Sequence, residues 1–290
     1  MALAYEKLMS FDIPEAEQHL TRKDTMLYAL GVGLGADPCD ADQLKFVYEK
    51  NLEALPTMAI ILGYAGSSEG SWHSKRPELG VTASHTVHGE QGFRIMKPLP
   101  VEGDLLGKTR ITGVFDKGQG KGALIMTESA VRDKKTGEVV CTLTSTTFAR
   151  ADGGFGGPSG PTKQLPPVPE TSPQFVCDLP TLPQAALIYR LSGDYNPLHA
   201  DPVHAQKVGF KMPILHGRGT FGVAGHAILK TLCGYDPARF MSMEGRFSSP
   251  VYPGETIRTE MWKDGNVVSF KATVPARGVT VLSNGRAEVR

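Results

Sequence analysis

Asp152-Gly-Gly-Phe-Gly-Gly-Pro-Ser-Gly-Pro-Thr-Lys-Gln-Leu-Pro-Pro-Val-Pro-Glu-Thr-Ser-Pro173 is too rich in glycine and proline to form a regular element, and it falls near the midpoint of a 290-residue chain. It reads as a linker, flexible at its glycine end and extended at its proline end. The chain is thereby divided into residues 1–151 and 174–290, each long enough to bury a core of its own. The two parts repeat one another. Tyr28-Ala-Leu-Gly31 recurs as Tyr189-Arg-Leu-Ser192, and Lys97-Pro-Leu-Pro-Val-Glu-Gly-Asp104 is echoed by Ser249-Pro-Val-Tyr-Pro-Gly-Glu255. After each proline-rich turn come three strand-like runs: Leu106 to Phe115, Gly122 to Asp133 and Val139 to Phe148, then Thr256 to Lys263, Val267 to Val274 and Val279 to Val289. Lys117-Gly-Gln-Gly120, Lys134-Lys-Thr-Gly137, Lys263-Asp-Gly-Asn266 and Ala276-Arg-Gly278 supply hairpin turns between them. Each half thus reads as a long apolar helix followed by an antiparallel meander that curls around it, since both must bury an apolar face. The expected class is α+β, with a pseudo-dimer inside one chain.

Composition narrows the function. A hydrophobic fraction of 40% with 21% charged residues is that of an ordinary globular protein. Thirty-one basic against thirty acidic side chains leave a net charge of +1, so nucleic acid is not expected as a partner and any anionic ligand must be met by a local patch. Cys39, Cys141, Cys177 and Cys233 are widely spaced and form no Cys-x-x-Cys pair, which suggests neither a disulfide framework nor a metal knuckle and favours a reducing compartment. The first thirty residues carry Asp12, Glu15, Glu17 and Asp24 and do not read as a secretory signal; no run approaches the roughly 20 apolar residues that span a bilayer, so no membrane association is expected.

Chemistry concentrates in Leu191-Ser-Gly-Asp-Tyr-Asn-Pro-Leu-His199. Asn196-Pro197 cannot lie inside a helix, because the proline ring disfavours the α region for the residue before it, so Asp194, Asn196 and His199 should project from a kinked loop and converge. A carboxylate and a neutral imidazole can hold one water and share its proton, and the amide can orient either without titrating. Pro213-Ile-Leu-His-Gly-Arg-Gly-Thr220 then leads into the apolar, helix-length stretch Phe221 to Leu229. A helix N-terminus there offers free backbone N–H groups to a developing oxyanion.

These two motifs, in this order, resemble the signature of the MaoC-like, hydratase 2 family of (R)-specific enoyl-CoA hydratases. Tyr28 to Gly33, His88-Gly-Glu-Gln91, Gly153 to Gly157, Pro250 to Gly254 and Thr259 to Lys263 extend the resemblance to the hydratase domain of the peroxisomal multifunctional enzyme type 2, over nearly the whole chain. The resemblance implies two fused hot-dog domains, that is, a double hot-dog. It implies reversible hydration of trans-2-enoyl-CoA to (3R)-3-hydroxyacyl-CoA by a hydro-lyase that needs no cofactor, with Asp194 and His199 on the water, Asn196 as orienter and the Gly217 N–H as oxyanion donor. Medium to long acyl chains are expected, with the N-terminal domain (1–151) binding the chain, 152–173 as linker and 174–290 carrying the catalytic motif. Only the second half keeps the polar set: Gly33 stands where Asp194 does. His88, Gly89, Glu90 and Arg218 are expected to bind substrate, with His88-Gly-Glu-Gln91 taken as the counterpart of His216-Gly-Arg-Gly219 and Glu90 either lining the cavity or bonding across the pseudo-dimer seam. A homodimer of such chains is expected, and because Ala287-Glu-Val-Arg290 is not a Ser-Lys-Leu-type address, the cytoplasm is the expected location.

Other readings of the same residues exist. Taken singly, Asp194 and Asn196 are ordinary turn formers, and His216 reads as a satisfied cap of the core helix. Asp201-Pro202 reads as an N-cap and first helical position, starting a helix over 203–208. His73, His85 and His88 lack acidic or thiol partners at ligand spacing, so no metal is expected. Gly31-Val-Gly33-Leu-Gly35 follows a helix-like run instead of a strand and fails the test of a dinucleotide fingerprint. A dehydratase of branched or dicarboxylic acyl-CoA, with Arg218 pairing a second carboxylate, a non-catalytic acyl-CoA-binding hot-dog module and a hot-dog thioesterase are the alternatives.

Overall fold

The computed structural model describes residues 3–63, 72–160 and 165–290. Its α-helices are α1 (Tyr5–Met9), α2 (Arg22–Gly31), α3 (Ala41–Val47), α4 (Trp72–Lys75), α5 (Ala185–Tyr189), α6 (Pro202–Lys207) and α7 (Gly217–Cys233). Its strands are β1 (Ala16–Leu20), β2 (Thr86–Ile95), β3 (Gly103–Asp116), β4 (Ala123–Asp133), β5 (Val139–Ala149), β6 (Phe175–Pro180), β7 (Phe240–Phe247), β8 (Thr256–Asp264), β9 (Val267–Val274) and β10 (Val279–Val289). Among the described residues, no helix is long and apolar enough to cross a membrane.

The strands form one antiparallel sheet in the order β1-β3-β4-β5-β2-β7-β10-β9-β8-β6. The second half of that order retraces the first in mirror sequence, which is the signature of an internal duplication about a pseudo-twofold axis. The seam is the β2–β7 pair, in register from Glu90 opposite Arg246 to Arg94 opposite Ser242. The six anticipated runs are present as β3, β4, β5, β8, β9 and β10. Alternation is cleanest in β9, where Val268, Phe270, Ala272 and Val274 are buried while the residues between them are partly exposed. Its hairpin to β8 turns at Gly265 with φ of +55°, a left-handed conformation glycine adopts without steric cost.

The helix of the second half, α7, has 17 residues and is buried on nearly every side. A helix apolar all round is one enclosed by its fold. Phe221, Ile228 and Leu229 share a core with the inward residues of the second-half strands. Small residues let α7 reach the first half. A Cβ on Gly225 would lie 2.2 Å from Thr57 Cγ2, and one on Gly222 would lie 2.6 Å from Val32 Cγ1. His226 bonds both ways from this helix, its Nδ1 to the Val32 carbonyl at 3.3 Å and its Nε2 to the Tyr235 hydroxyl at 3.1 Å. The repeated tyrosines Tyr28 and Tyr189 meet near the axis with ring centroids 5.9 Å apart.

Three expectations are corrected by this architecture. Among the described residues, the first half has no long central helix: the 3-10 turn Pro56–Ile61 takes its place against β2, β5 and α7. Leu62 caps this turn, and Gly63 follows it at φ of +57°, a left-handed conformation. The quartet His88-Gly-Glu-Gln91 lies in strand β2, so its topological counterpart is β7 and not the His216 to Gly219 helix start. Pairing on both sides, with β5 and β7, holds that segment extended. The glycine end of the linker is pinned where flexibility was expected: the Asp116 carboxylate accepts the N–H groups of Gly118, Gly154 and Gly156 at 2.7–2.8 Å, and Asp152 bonds the Thr82 N–H and hydroxyl. Residues 161–164 of the linker lie outside the described residues.

Candidate active site

Helix α5 runs into a single 3-10 turn, Arg190–Ser192, that ends on Gly193 at φ +110°. This left-handed cap throws the chain sideways and delivers Asp194 over the start of α7. Asn196 has φ −55° and ψ 124°, the extended conformation that a following proline imposes, and its Oδ1 accepts the Leu198 N–H at 3.0 Å. The Asp194 carboxylate accepts the Asn196 N–H at 3.3 Å. The turn Pro197–His199 then carries the imidazole inward, where it is 8% exposed. Asn196 itself is exposed, and its oxygen is committed to capping this turn.

The His199 Nδ1 lies 2.8 Å from the carbonyl of Ile214, an acceptor only, so Nδ1 carries the proton and Nε2 keeps its lone pair. Burial lowers the His199 pKa, which keeps the ring neutral and basic at Nε2. His216, the N-cap of α7, stacks on His199 with centroids 3.7 Å apart and donates from Nε2 to the Asp194 carbonyl at 3.1 Å. Its Nδ1 is buried without a partner, and its pKa is lowered by burial and by His199. An Asp194 carboxylate oxygen, a His199 nitrogen and a His216 nitrogen all lie within 4.8 Å of one another. One water, bonding at about 2.8 Å on each side, spans that gap between acid and base.

The ladder of α7 begins with the Thr220 N–H bonded to the His216 carbonyl at 2.9 Å, so the N–H groups of Gly217, Arg218 and Gly219 fall outside it. They form the positive end of a 17-residue helix. A Cβ on Gly217 would lie 3.3 Å from the Phe247 ring, and Phe247 in turn packs on His88 at 4.6 Å between centroids. Residues of both halves therefore wall the site. Burial, with help from Arg218, pushes the His88 pKa down to about 3, and the Asp194 charge acts on the same ring in the opposite sense.

Of the residues singled out in the sequence, Asp194 and His199 come together, Gly217 sits at the adjoining helix start, and His88 and Arg218 lie close by. Gly89 and Glu90 do not join them. Gly89 sits where β2 passes close to the Thr146 carbonyl, and the Glu90 carboxylate is held across the seam by Arg246 Nε and the guanidinium nitrogen at 3.0 and 2.8 Å. Two features were missed. His216 is not the satisfied cap expected: its side chain makes no cap hydrogen bond to α7, and it touches both His199 and Asp194 instead. The concave face of the first half is lined with hydroxyls around a cavity of about 70 Å³, into which Arg218 also faces. The signal was in the sequence: Thr109, Thr127, Ser129 and Ser145 occupy inward strand positions whose second-half neighbours are apolar.

Known proteins give the same picture. The family model of the MFE-2 hydratase 2 N-terminal domain matches residues 19–151, and that of the MaoC-like domain matches residues 164–284. The chain is 39% identical over 297 residues to the peroxisomal enoyl-CoA hydratase 2 of Arabidopsis thaliana, an alignment covering 98% of this chain and 94% of that protein. It superposes on a MaoC-like dehydratase from Phytophthora capsici with a TM-score of 0.84 at 35% identity, covering 98% of each chain. A Mycobacterium tuberculosis protein described as having a double hotdog fold shares the fold alone, at a TM-score of 0.54 and 14% identity. The architecture is a double hot-dog of class α+β. The chain belongs to the MaoC-like, hydratase 2 family.

Proposed function

We propose that the protein is a hydro-lyase that reversibly adds water to trans-2-enoyl-CoA and forms (3R)-3-hydroxyacyl-CoA. The observation that carries this reading is the approach of the Asp194 carboxylate to the His199 ring beside the N-terminal end of α7. In the reading, a water held between Asp194 and His199 Nε2 is deprotonated as its oxygen bonds to Cβ of the substrate. The electron pair of the C=C bond moves toward the thioester carbonyl, and the negative charge on its oxygen is met by the Gly217 N–H. The proton taken from water is returned to Cα, so the sum of the steps is addition of H and OH across the double bond. His199 suits this role because its proton is parked on the Ile214 carbonyl side and burial disfavours its cationic form. The (3R) configuration follows from family membership.

Residues 174–290 supply this chemistry, and residues 1–151 supply room for the acyl chain, through the cavity that the short Pro56–Ile61 turn leaves open. Medium to long chains are the expected substrates. The reading includes a cytoplasmic location, supported by cysteines that are all free in the structure, and a homodimer, supported by the open sheet edge at β6 with Phe175 and Val176 exposed. Hydration of crotonyl-, decenoyl- and hexadecenoyl-CoA, followed by chiral analysis of the products, tests the reaction and the chain length together. Activity confined to crotonyl-CoA refutes the role given to the cavity, and a (3S) product refutes the stereochemistry.

A further inference from the structure

Asp194 stands on a bend that has little of its own to hold it. Gly193 is at φ +110°, and Tyr195, Asn196 and Pro197 are exposed, so little packing fixes the chain there. The Asp194 carboxylate, the Asn196 side-chain oxygen and the Asn196 carbonyl accept the N–H groups of Asn196, Leu198 and His199, all bonds inside the loop. Among the described residues, one hydrogen bond reaches residues 193–196 from outside the loop, the His216 Nε2–H donated to the Asp194 carbonyl at 3.1 Å. The ring that makes it is itself well held. It lies against His199 with centroids 3.7 Å apart and planes at 25°, and against Tyr189, a residue only 1% exposed, at 4.9 Å.

The start of α7 does not require this side chain. It makes no cap bond, and the Thr220 N–H is met by the His216 backbone carbonyl, which any residue supplies. It also carries a cost. With Nε2 donating to a carbonyl, Nδ1 is an acceptor, and it is buried without a partner. An apolar ring of similar size would fill the space and leave no such acceptor unmet. Burial, and then His199, hold the His216 pKa below the ordinary histidine value, so the ring stays neutral and keeps this bonding pattern. What an apolar ring would not supply is the bond to Asp194. An acid and a base that share one water must keep their separation to within about 0.5 Å, and the bend alone does not ensure that.

We infer that His216 is a positioning residue for hydration: its Nε2–H, bonded to the Asp194 carbonyl, sets where the Asp194 carboxylate stands relative to the His199 ring. In this role it acts through Asp194 and touches no reacting atom. The inference rests on the hydratase reading of the site.

The test separates the donor from the ring, using whichever of crotonyl-, decenoyl- and hexadecenoyl-CoA the wild type hydrates fastest. His216→Phe keeps a ring against His199 and removes the donor, whereas His216→Gln keeps an amide N–H at similar reach and removes the ring. His216→Phe is expected to lower kcat by about 10- to 100-fold with KM within about twofold of wild type, the pattern of a displaced reacting geometry. His216→Gln is expected to be faster than His216→Phe by about fivefold or more, a rescue that a space-filling role would not give. If His216→Phe does not fold, His216→Asn takes its place with the same expected loss, because its amide stops one carbon short of the Asp194 carbonyl. Thermal unfolding identifies the folded variants. A kcat within about twofold of wild type in the donor-less variant, a change confined to KM, or a His216→Gln enzyme no faster than that variant overturns the positioning role and leaves the hydratase reading intact. Wild-type protein that hydrates none of the three substrates removes both.

Discussion

The two halves of the sheet curl around very different contents. In the second half, a 17-residue helix fills the concave face and the strands facing inward are lined by residues such as Val268, Phe270, Ala272 and Val274. In the first half, a 3-10 turn of six residues sits in the same place, the inward residues of β4 include Thr127 and Ser129, and a cavity opens over them. The difference teaches that central-helix length decides what a duplicated sheet is for. A full helix demands an apolar face and presents its N-terminus to a reaction. A truncated one leaves volume, and the sheet beneath is then free to be polar.

The comparison breaks first at the proposed catalytic loop. Asp194→Asn and His199→Ala should each lower kcat by about 10²- to 10⁴-fold, the usual range for a general acid–base group, while acyl-CoA binding measured by calorimetry persists. A residual rate near wild type in either variant would shift the chemistry to the first half. Next in size is the packing that joins the halves: Gly225→Leu drives a side chain into Thr57, and the expected loss is about 3 kcal/mol in urea unfolding, the upper end for overpacking.

Protonation gives a third, intermediate effect. His226 ties α7 to the Val32 carbonyl, and burial pushes its pKa down to about 4. In the unfolded chain a histidine titrates near 6.5, so between about pH 6.5 and pH 4 the unfolded state binds the extra proton and folding stability falls as pH falls. From pH 7 to pH 5 this group alone should remove about 2 kcal/mol, and His226→Gln should flatten that part of the profile measured by denaturant titration. The lowered pKa of His199 acts in the same direction on catalysis, placing the acid limb of kcat/KM below the ordinary histidine value. The smallest effect is at the seam. Glu90→Ala removes a pair whose side chains are 26% and 43% exposed, so after solvent screening the expected cost is about 1 kcal/mol, shrinking further at high salt.

Much of this was legible beforehand where local patterning and global fold agree. The six meander strands alternate at period two, and the proline-glycine turns before them repeat, so the duplication could be read directly. The 193–199 loop was legible because Asn196-Pro197 leaves the backbone few conformations and Gly193 permits the left-handed one the bend needs. The seam strands β2 and β7 were not, because His88-Gly-Glu-Gln91 and Ser242-Met-Glu-Gly-Arg246 mix charge and glycine, and only pairing on both sides holds them extended. For the same reason Glu90 could be given two roles and its actual one depended on finding Arg246 across the seam.

Sequence alone determined that the chain is duplicated, that one half carries an acid and an imidazole in a rigid bend, and that a helix opens with glycine just after them. Those properties are local, set by backbone sterics and side-chain period. Tertiary structure decided the rest: that His216 stacks on His199, that Arg218 faces into the first half, and that a short turn at Pro56–Ile61 leaves hydroxyl-bearing strands uncovered. These are contacts between segments far apart in the chain, and their geometry exists only once the sheet has closed around its two unequal helices.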